Sequence, residues 1–267
     1  MRFSRFLPFV FALLLCLPTG AQQPSATAPQ GATILQQSLN SMVGTASISD
    51  VTLTGTARRI SGSDDETGSA VLKALATGQS RLDCTLPSGQ SSEIRSIDSN
   101  GNQAGAWIGP NGASHAMSAH NLMTTSEWFL PALAVRGLVA SQNSIVSNIG
   151  PETKDGASVI HLTVTEQFPV SDVPADLAAL MQHLSQMDLF LDATTLLPVA
   201  LDFNIHPDNN ALLDIPVEIR FSDYITVNGV QVPFHVQKYL NNNLMLDIQL
   251  QAATLNTGLT ASAFAIQ

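Results

Sequence analysis

The feature that most constrains this chain is a strict period-two alternation in its C-terminal third. Leu201, Phe203 and Ile205 alternate with Asp202, Asn204 and His206. Ile215, Val217, Ile219 and Phe221 alternate with Pro216, Glu218, Arg220 and Ser222, and Leu244, Leu246, Ile248 and Leu250 with Met245, Asp247, Gln249 and Gln251. Successive side chains of a strand point to opposite faces, so each run has one apolar and one polar face. That is the pattern of an antiparallel sheet wet on one side. Asn228-Gly229, set between Tyr224–Val227 and Val230–Val232, marks a two-residue hairpin.

The N-terminal half repeats the pattern less regularly. Val51–Ala57, Thr67–Ala76 and Gln79–Leu86 read as strands, punctuated by Gly62-Ser63-Asp64, Ser88-Gly89, Asn100-Gly101 and Asn111-Gly112. An antiparallel meander to about His115 follows. Helical spacing is confined to three stretches. Ile34, Leu35, Leu39, Met42 and Val43 predict a helix over about Ala32–Val43. The apolar run Leu130–Val139 carries Pro131 in its first turn, and Val173–Ser185 carries Pro174 near its start. A one-sided sheet must cover its apolar face, and three short helices cannot cover a long flat one. The expected fold is therefore α+β: a curved antiparallel sheet forming an incomplete, half-open β-barrel covered by a few helices. One such domain is expected over 32–267, with an apolar concavity.

The first 21 residues have a basic start (Arg2, Arg5), an apolar run from Phe6 to Leu17 and a small-residue end at Ala21. This is the layout of a cleaved secretory signal peptide, and the run is short for a membrane span. Residues 22–31, rich in Gln, Pro, Ser, Ala and Thr, read as a flexible linker. Leu15 before Cys16 does not suit a lipid-attachment site, which needs a small residue there. The exported chain then keeps Cys84 alone, so no intramolecular disulfide is possible, and its strand setting suits a small core residue better than a nucleophile. Eleven Lys+Arg against 21 Asp+Glu give a net charge of −10, more negative still without Arg2 and Arg5. Such a surface repels nucleic acid and anionic membranes. The expectation is a soluble periplasmic protein.

Positive signs of catalysis are missing. There is no phosphate loop, dinucleotide fingerprint or nucleophile elbow. Among the six histidines, His115 and His120 are five apart and do not share a helical face. His206, Asp208 and Asp214 read as a polar hairpin tip, with a calcium-like oxygen site as the alternative. Asp64-Asp65-Glu66 reads as a solvated turn. No catalytic residue, metal or cofactor is expected. Arg81, inside a strand pattern, either faces solvent or an acid, or points into the concavity and meets a polar head group. Trp128 and Phe129 are either core packing or a hydrophobic lip that opens for a ligand.

Several segments together resemble a known family. They are the Gly78-Gln79-Ser80-Arg81-Leu82-Asp83 step, Leu191–Pro198, and Phe221–Pro233 with its F-x-D-Y-x-x-V-N-G-V-x-x-P pattern. Leu255-Asn256-Thr257-Gly258-Leu259 followed by Phe264 completes the set. These resemble the periplasmic lipoprotein-carrier superfamily typified by LolA and LolB. The resemblance implies an incomplete, eleven-stranded antiparallel barrel with a helical lid, binding acyl chains without catalysis. Arg81 would correspond to the strand arginine that helps hold lid and ligand. The expected function is an exported, monomeric carrier of a lipid or lipoprotein acyl chain, exchanging cargo with membrane-bound donor and acceptor proteins and not with nucleic acid. Its ligand-binding candidates are Arg81, Trp128, Phe129, Leu201, Phe203, Ile205, Val217, Ile219 and Phe221. The alternatives are a protein-interaction or sensor module of the same fold with a filled core, and an exported hydrolase. The hydrolase would need a Ser–His or His–carboxylate pair within hydrogen-bond reach.

Overall fold

Alternation along the chain becomes one continuous antiparallel sheet in the computed structural model, which describes residues 30–98, 100–168 and 173–266. The signal-peptide and linker expectations lie outside these residues, apart from Gln30 and Gly31 at the linker's end. Six strands come first: β1 (Asp50–Ser61), β2 (Asp64–Leu75), β3 (Ser80–Leu86), β4 (Gly89–Ile97), β5 (Gln103–Ile108) and β6 (Ser114–Ala116). Seven follow: β7 (Ser144–Lys154), β8 (Ala157–Glu166), β9 (Met187–Asp192), β10 (Pro198–Ile205), β11 (Ile215–Val227), β12 (Val230–Leu240) and β13 (Asn243–Leu255). The count of 13 corrects the eleven implied by the family resemblance. Short edge pieces such as three-residue β6, closed over the Asn111-Gly112 turn, extend the sheet.

The order is β6-β5-β4-β3-β2-β1-β13-β12-β11-β10-β9-β8-β7. Two meanders thus run outward from a central seam where the first strand pairs with the last, from Val51↔Leu255 to Arg59↔Leu246. The sheet does not close on itself. A bulge at Thr54/Gly55 bends the seam, and the backbones approach so closely that a Cβ on Gly55 would lie 2.1 Å from the Gln249 carbonyl oxygen.

The inner face is covered by α1 (Gly31–Val43) and α2 (Pro131–Ala140), while α3 (Ala175–Leu184) packs against β8. Helix α1 buries Ile34, Leu35, Leu39 and Met42 along one face. Ser38 from that same face donates to the Leu196 carbonyl at 2.8 Å, fixing the helix to the β9–β10 turn. Pro131 occupies the first turn of α2, where its missing N–H costs nothing. Paired residues share a face, so the core can be followed across the sheet: Leu53–Leu72–Leu82 on one side, Leu189–Leu201–Ile219 on the other. No helix among the described residues is long and apolar enough to cross a membrane.

The closing segment Asn256–Phe264 works as a clasp. Asp50 accepts from the backbone N–H groups of Thr257 (2.8 Å) and Gly258 (3.0 Å), and Asn256 bridges Ser49 N–H and the Ser47 carbonyl. Burial alone would raise the Asp50 carboxyl, but these donors outweigh it and hold it below the usual range. Phe264, fully buried in the short 3-10 turn Ala261–Phe264, then packs against β4, whose outward Ile94 is equally buried.

Candidate functional site

The inner face is not filled everywhere. Between β3–β5 on one wing and β10, β12 and β13 on the other lies a cavity of about 390 Å³. Leu82, Trp107, Trp128, Phe203, Ile205 and Leu246 supply much of its apolar wall. Its volume falls at the small end of natural ligand pockets. A second cavity of about 510 Å³ lies beside it, under α2 and the 122–127 loop. Arg95 lines both.

Charged groups project into this apolar space because β4 reverses the usual pattern. Glu93 pairs with Leu82 and Arg95 with Ser80, so both carried charges point to the inner face. Glu93 is held by two hydrogen bonds, one of them an ion pair, and its cationic partner also packs on Trp128. Lys238 Nζ donates to its Oε2 at 3.0 Å, Trp128 Nε1–H donates to its Oε1 at 3.0 Å, and the Lys238 ammonium sits 4.5 Å over the Trp128 ring. Burial pushes the Glu93 carboxyl up, but attraction from Lys238 and Arg95 with those hydrogen bonds prevails and holds it below its ordinary value.

Arg95 is less well served. It is 7% exposed and donates from Nη1 to the Thr124 carbonyl at 3.0 Å, while its buried Nε has no partner among the described residues. Burial pulls its guanidinium down, opposed by Glu93 and Glu127. Glu127, buried nearby, is pushed up by desolvation despite hydrogen bonds from Ser126 and Thr125. A buried guanidinium lining both cavities places a fixed cation at their junction, where it attracts an anionic or carbonyl oxygen of a guest.

The sequence candidates divide three ways. Trp128, Phe203 and Ile205 are brought together in the cavity wall. Phe129, Leu201, Val217, Ile219 and Phe221 are buried in the continuous core, with Phe129 edge-on to Trp128 at 5.5 Å. Arg81 lies on the face opposite Leu82 and Cys84, in a two-residue pair with Asp83 at 2.7 Å that Ser92 also joins. Its side chain therefore takes the outward orientation of the two open to it. Cys84 lines the cavity as a buried thiol pushed up to about 11 by desolvation. His206 is not at an exposed hairpin tip: it is 4% exposed, and Asn121 grips its backbone N–H and carbonyl, each at 2.8 Å. Glu93, Arg95 and Lys238 went unread because alternation alone does not tell which charged strand residue faces inward.

A Ser–His–carboxylate chain does occur, on the outer face. Ser222 Oγ lies 3.2 Å from His235 Nδ1, and His235 Nε2 lies 2.9 Å from Asp247 Oδ1. Ser222, His235 and Asp247 stand on the neighbouring strands β11, β12 and β13, with the register skipping Asp223 beside Ser222. No strand-to-helix turn frees a pair of N–H donors for an oxyanion there.

No protein-family model matches the chain, and no curated protein matches it in sequence. Solved structures do match. A domain from Vibrio parahaemolyticus assigned to outer membrane lipoprotein sorting superposes with a TM-score of 0.55 at 12% identity, over 88% of this chain and 95% of that one. The chain has the LolA-like open-barrel fold. A DUF1329 family protein from Desulfovibrio piger gives a TM-score of 0.54 at 13% identity over 88% of this chain and 95% of its own. A LolA superfamily protein from Nitrosomonas europaea gives 0.50 at 9% identity, with 90% of this chain and 99% of that chain covered. At such identities the LolA-like likeness concerns backbone architecture, and the cavity's chemistry belongs to this chain's own residues.

Proposed function

We propose that this protein is an exported, periplasmic carrier that holds a lipid or lipoprotein acyl chain in the cavity beside Trp128, Phe203 and Ile205, without catalysis. The observation that carries the reading is the unfilled apolar space of about 390 Å³ on the helix-covered face of a LolA-like sheet. If a methylene takes about the ~30 Å³ that a water takes in the liquid, a single stretch on the order of a dozen methylenes fits. Each buried methylene contributes roughly 0.8 kcal/mol, enough to retain a chain yet release it to a better acceptor. The Arg95 guanidinium, which lines the cavity, would donate to the ligand's carboxylate or ester oxygen. Non-catalytic binding accords with Glu93 being tied to Lys238 and Trp128, and with a Cys84 thiol that holds its proton at neutral pH. An interaction module with a filled core is less favoured because the interior retains this space.

The test is native mass spectrometry of the protein purified from a periplasm, followed by organic extraction. One acylated molecule per chain is expected, and Ile205→Trp, which fills the wall, should abolish its retention while leaving circular dichroism unchanged. A chain that stays free of lipid after incubation with phospholipid and lipopeptide refutes the proposal.

A further inference from the structure

We propose that His183, His206 and Asp214 form a binding site for a zinc-class divalent transition-metal ion. These residues come from the last turn of α3, the segment just after β10 and the segment just before β11. Both Nε2 atoms converge on one carboxylate oxygen: Asp214 Oδ1 lies 2.9 Å from His183 and 3.0 Å from His206. All three candidate ligand atoms lie within 4.8 Å of one another. A tetrahedral ion with bonds of about 2.0–2.1 Å holds its ligand atoms roughly 3.3 Å apart, so each nitrogen–oxygen pair needs to open by only a few tenths of an ångström.

The arrangement is built rather than incidental. The His206 side chain is 1% exposed. Asn121 fixes the His206 backbone on both sides, which sets the ring's direction before any ion arrives. His183 and Asp214 are each 42% exposed, giving an entry path and room for water as a fourth ligand. His120 packs edge-on to His206, with ring centroids 5.8 Å apart, and stays outside the ligand set. Two imidazoles and one carboxylate select zinc, cobalt or nickel over calcium or magnesium. Because Ile205 and Asn121 both line the apolar cavity, an ion here would lock one wall of it. The site stands independently of what that cavity holds.

Isothermal titration of the EDTA-treated, full-length exported protein with Zn²⁺ tests this, with Co²⁺ absorption reporting coordination. One saturable ion per chain and a four-coordinate cobalt spectrum are expected. Asp214→Asn and His183→Gln, both at part-exposed positions, should each weaken binding by more than about a hundredfold, beyond the loss of a mere supporting partner. His235→Gln, which removes a different His–Asp pair, should leave binding unchanged. Absence of saturable one-to-one binding, or equal binding by Asp214→Asn and the native chain, overturns the proposal. So does loss in His235→Gln with retention in His183→Gln.

Discussion

Replacing Lys238 with Met would leave Glu93 charged inside an apolar wall. The two side chains are 23% and 16% exposed, so little water reaches either. At 3.0 Å and an effective dielectric constant of about 20, their attraction is roughly 5–6 kcal/mol, much of it offset by desolvation of both ions. Removing one partner exposes that desolvation cost and typically loses about 3–5 kcal/mol. The residual exposure and the surviving Trp128 hydrogen bond put Lys238→Met at the lower end, about 3 kcal/mol, or roughly 6–12 °C in Tm for a domain of this size. Met also forfeits the cation–π contact with Trp128. Glu93→Gln/Lys238→Met together should recover most of the loss, since a neutral amide accepts from Trp128 without needing a cation. Urea unfolding of the two single variants and the double variant yields the coupling energy, expected at about 2–3 kcal/mol. Single losses below about 1 kcal/mol that simply add would show that the pair is solvated, and would refute the account of a charged patch enclosed by the cavity.

Other perturbations probe other parts of the molecule. Burial pushes the Asp202 carboxyl up to about 6, since Lys154 is shared with Glu218, whose carboxyl instead lies below its ordinary value. A raised carboxyl pKa means the folded chain holds that proton more tightly, so stability relative to Asp202→Asn should fall as pH rises from about 4 to 6. With Asp202 31% exposed, the loss is expected near 1–2 kcal/mol, and a pH-independent difference in urea midpoint would contradict it. Gly55→Ala should cost more than about 2 kcal/mol, because its Cβ meets backbone at 2.1 Å; a thermal melt within 2 °C of the native chain would mean the seam yields easily. Trp128→Ala should cost about 3–5 kcal/mol and enlarge the cavity, read as lower stability with faster uptake of a fluorescent fatty acid.

The alternating runs around Phe203, Ile219 and Ile248 made β10, β11 and β13 legible, because one face of each is buried and the other wet. The helices were legible to within a residue or two from apolar spacing and Pro131. Strands β7 and β8 were not, since Gly150 and Pro151 interrupt the run at a bulge and the edge leaves Ile145 and Ile149 exposed. Three cavity-wall residues, Trp128, Phe203 and Ile205, came from hydrophobicity alone. Arg95 and Glu93 did not, because facing inward is decided by register with Ser80 and Leu82, a long-range fact absent from any local window. Of the His183–His206–Asp214 convergence, His206 and Asp214 were grouped by nearness in sequence, while His183, on α3, is brought to them only by tertiary packing.

The pairing of β1 with β13 carries a consequence for how the chain is made. Each meander can form hairpins as it emerges, but Val51 has no partner at the seam until Leu255 has followed. The order of synthesis therefore leaves β1 waiting, its unpaired edge open, until nearly the whole chain has been made. Such non-local closure is slow, so the sheet is completed only after its last strand has been made. A product ending before Asn256 would also lack the Asp50 clasp, leaving the seam unsecured at its outer end. Its fate would turn on how quickly proteases or chaperones meet that edge.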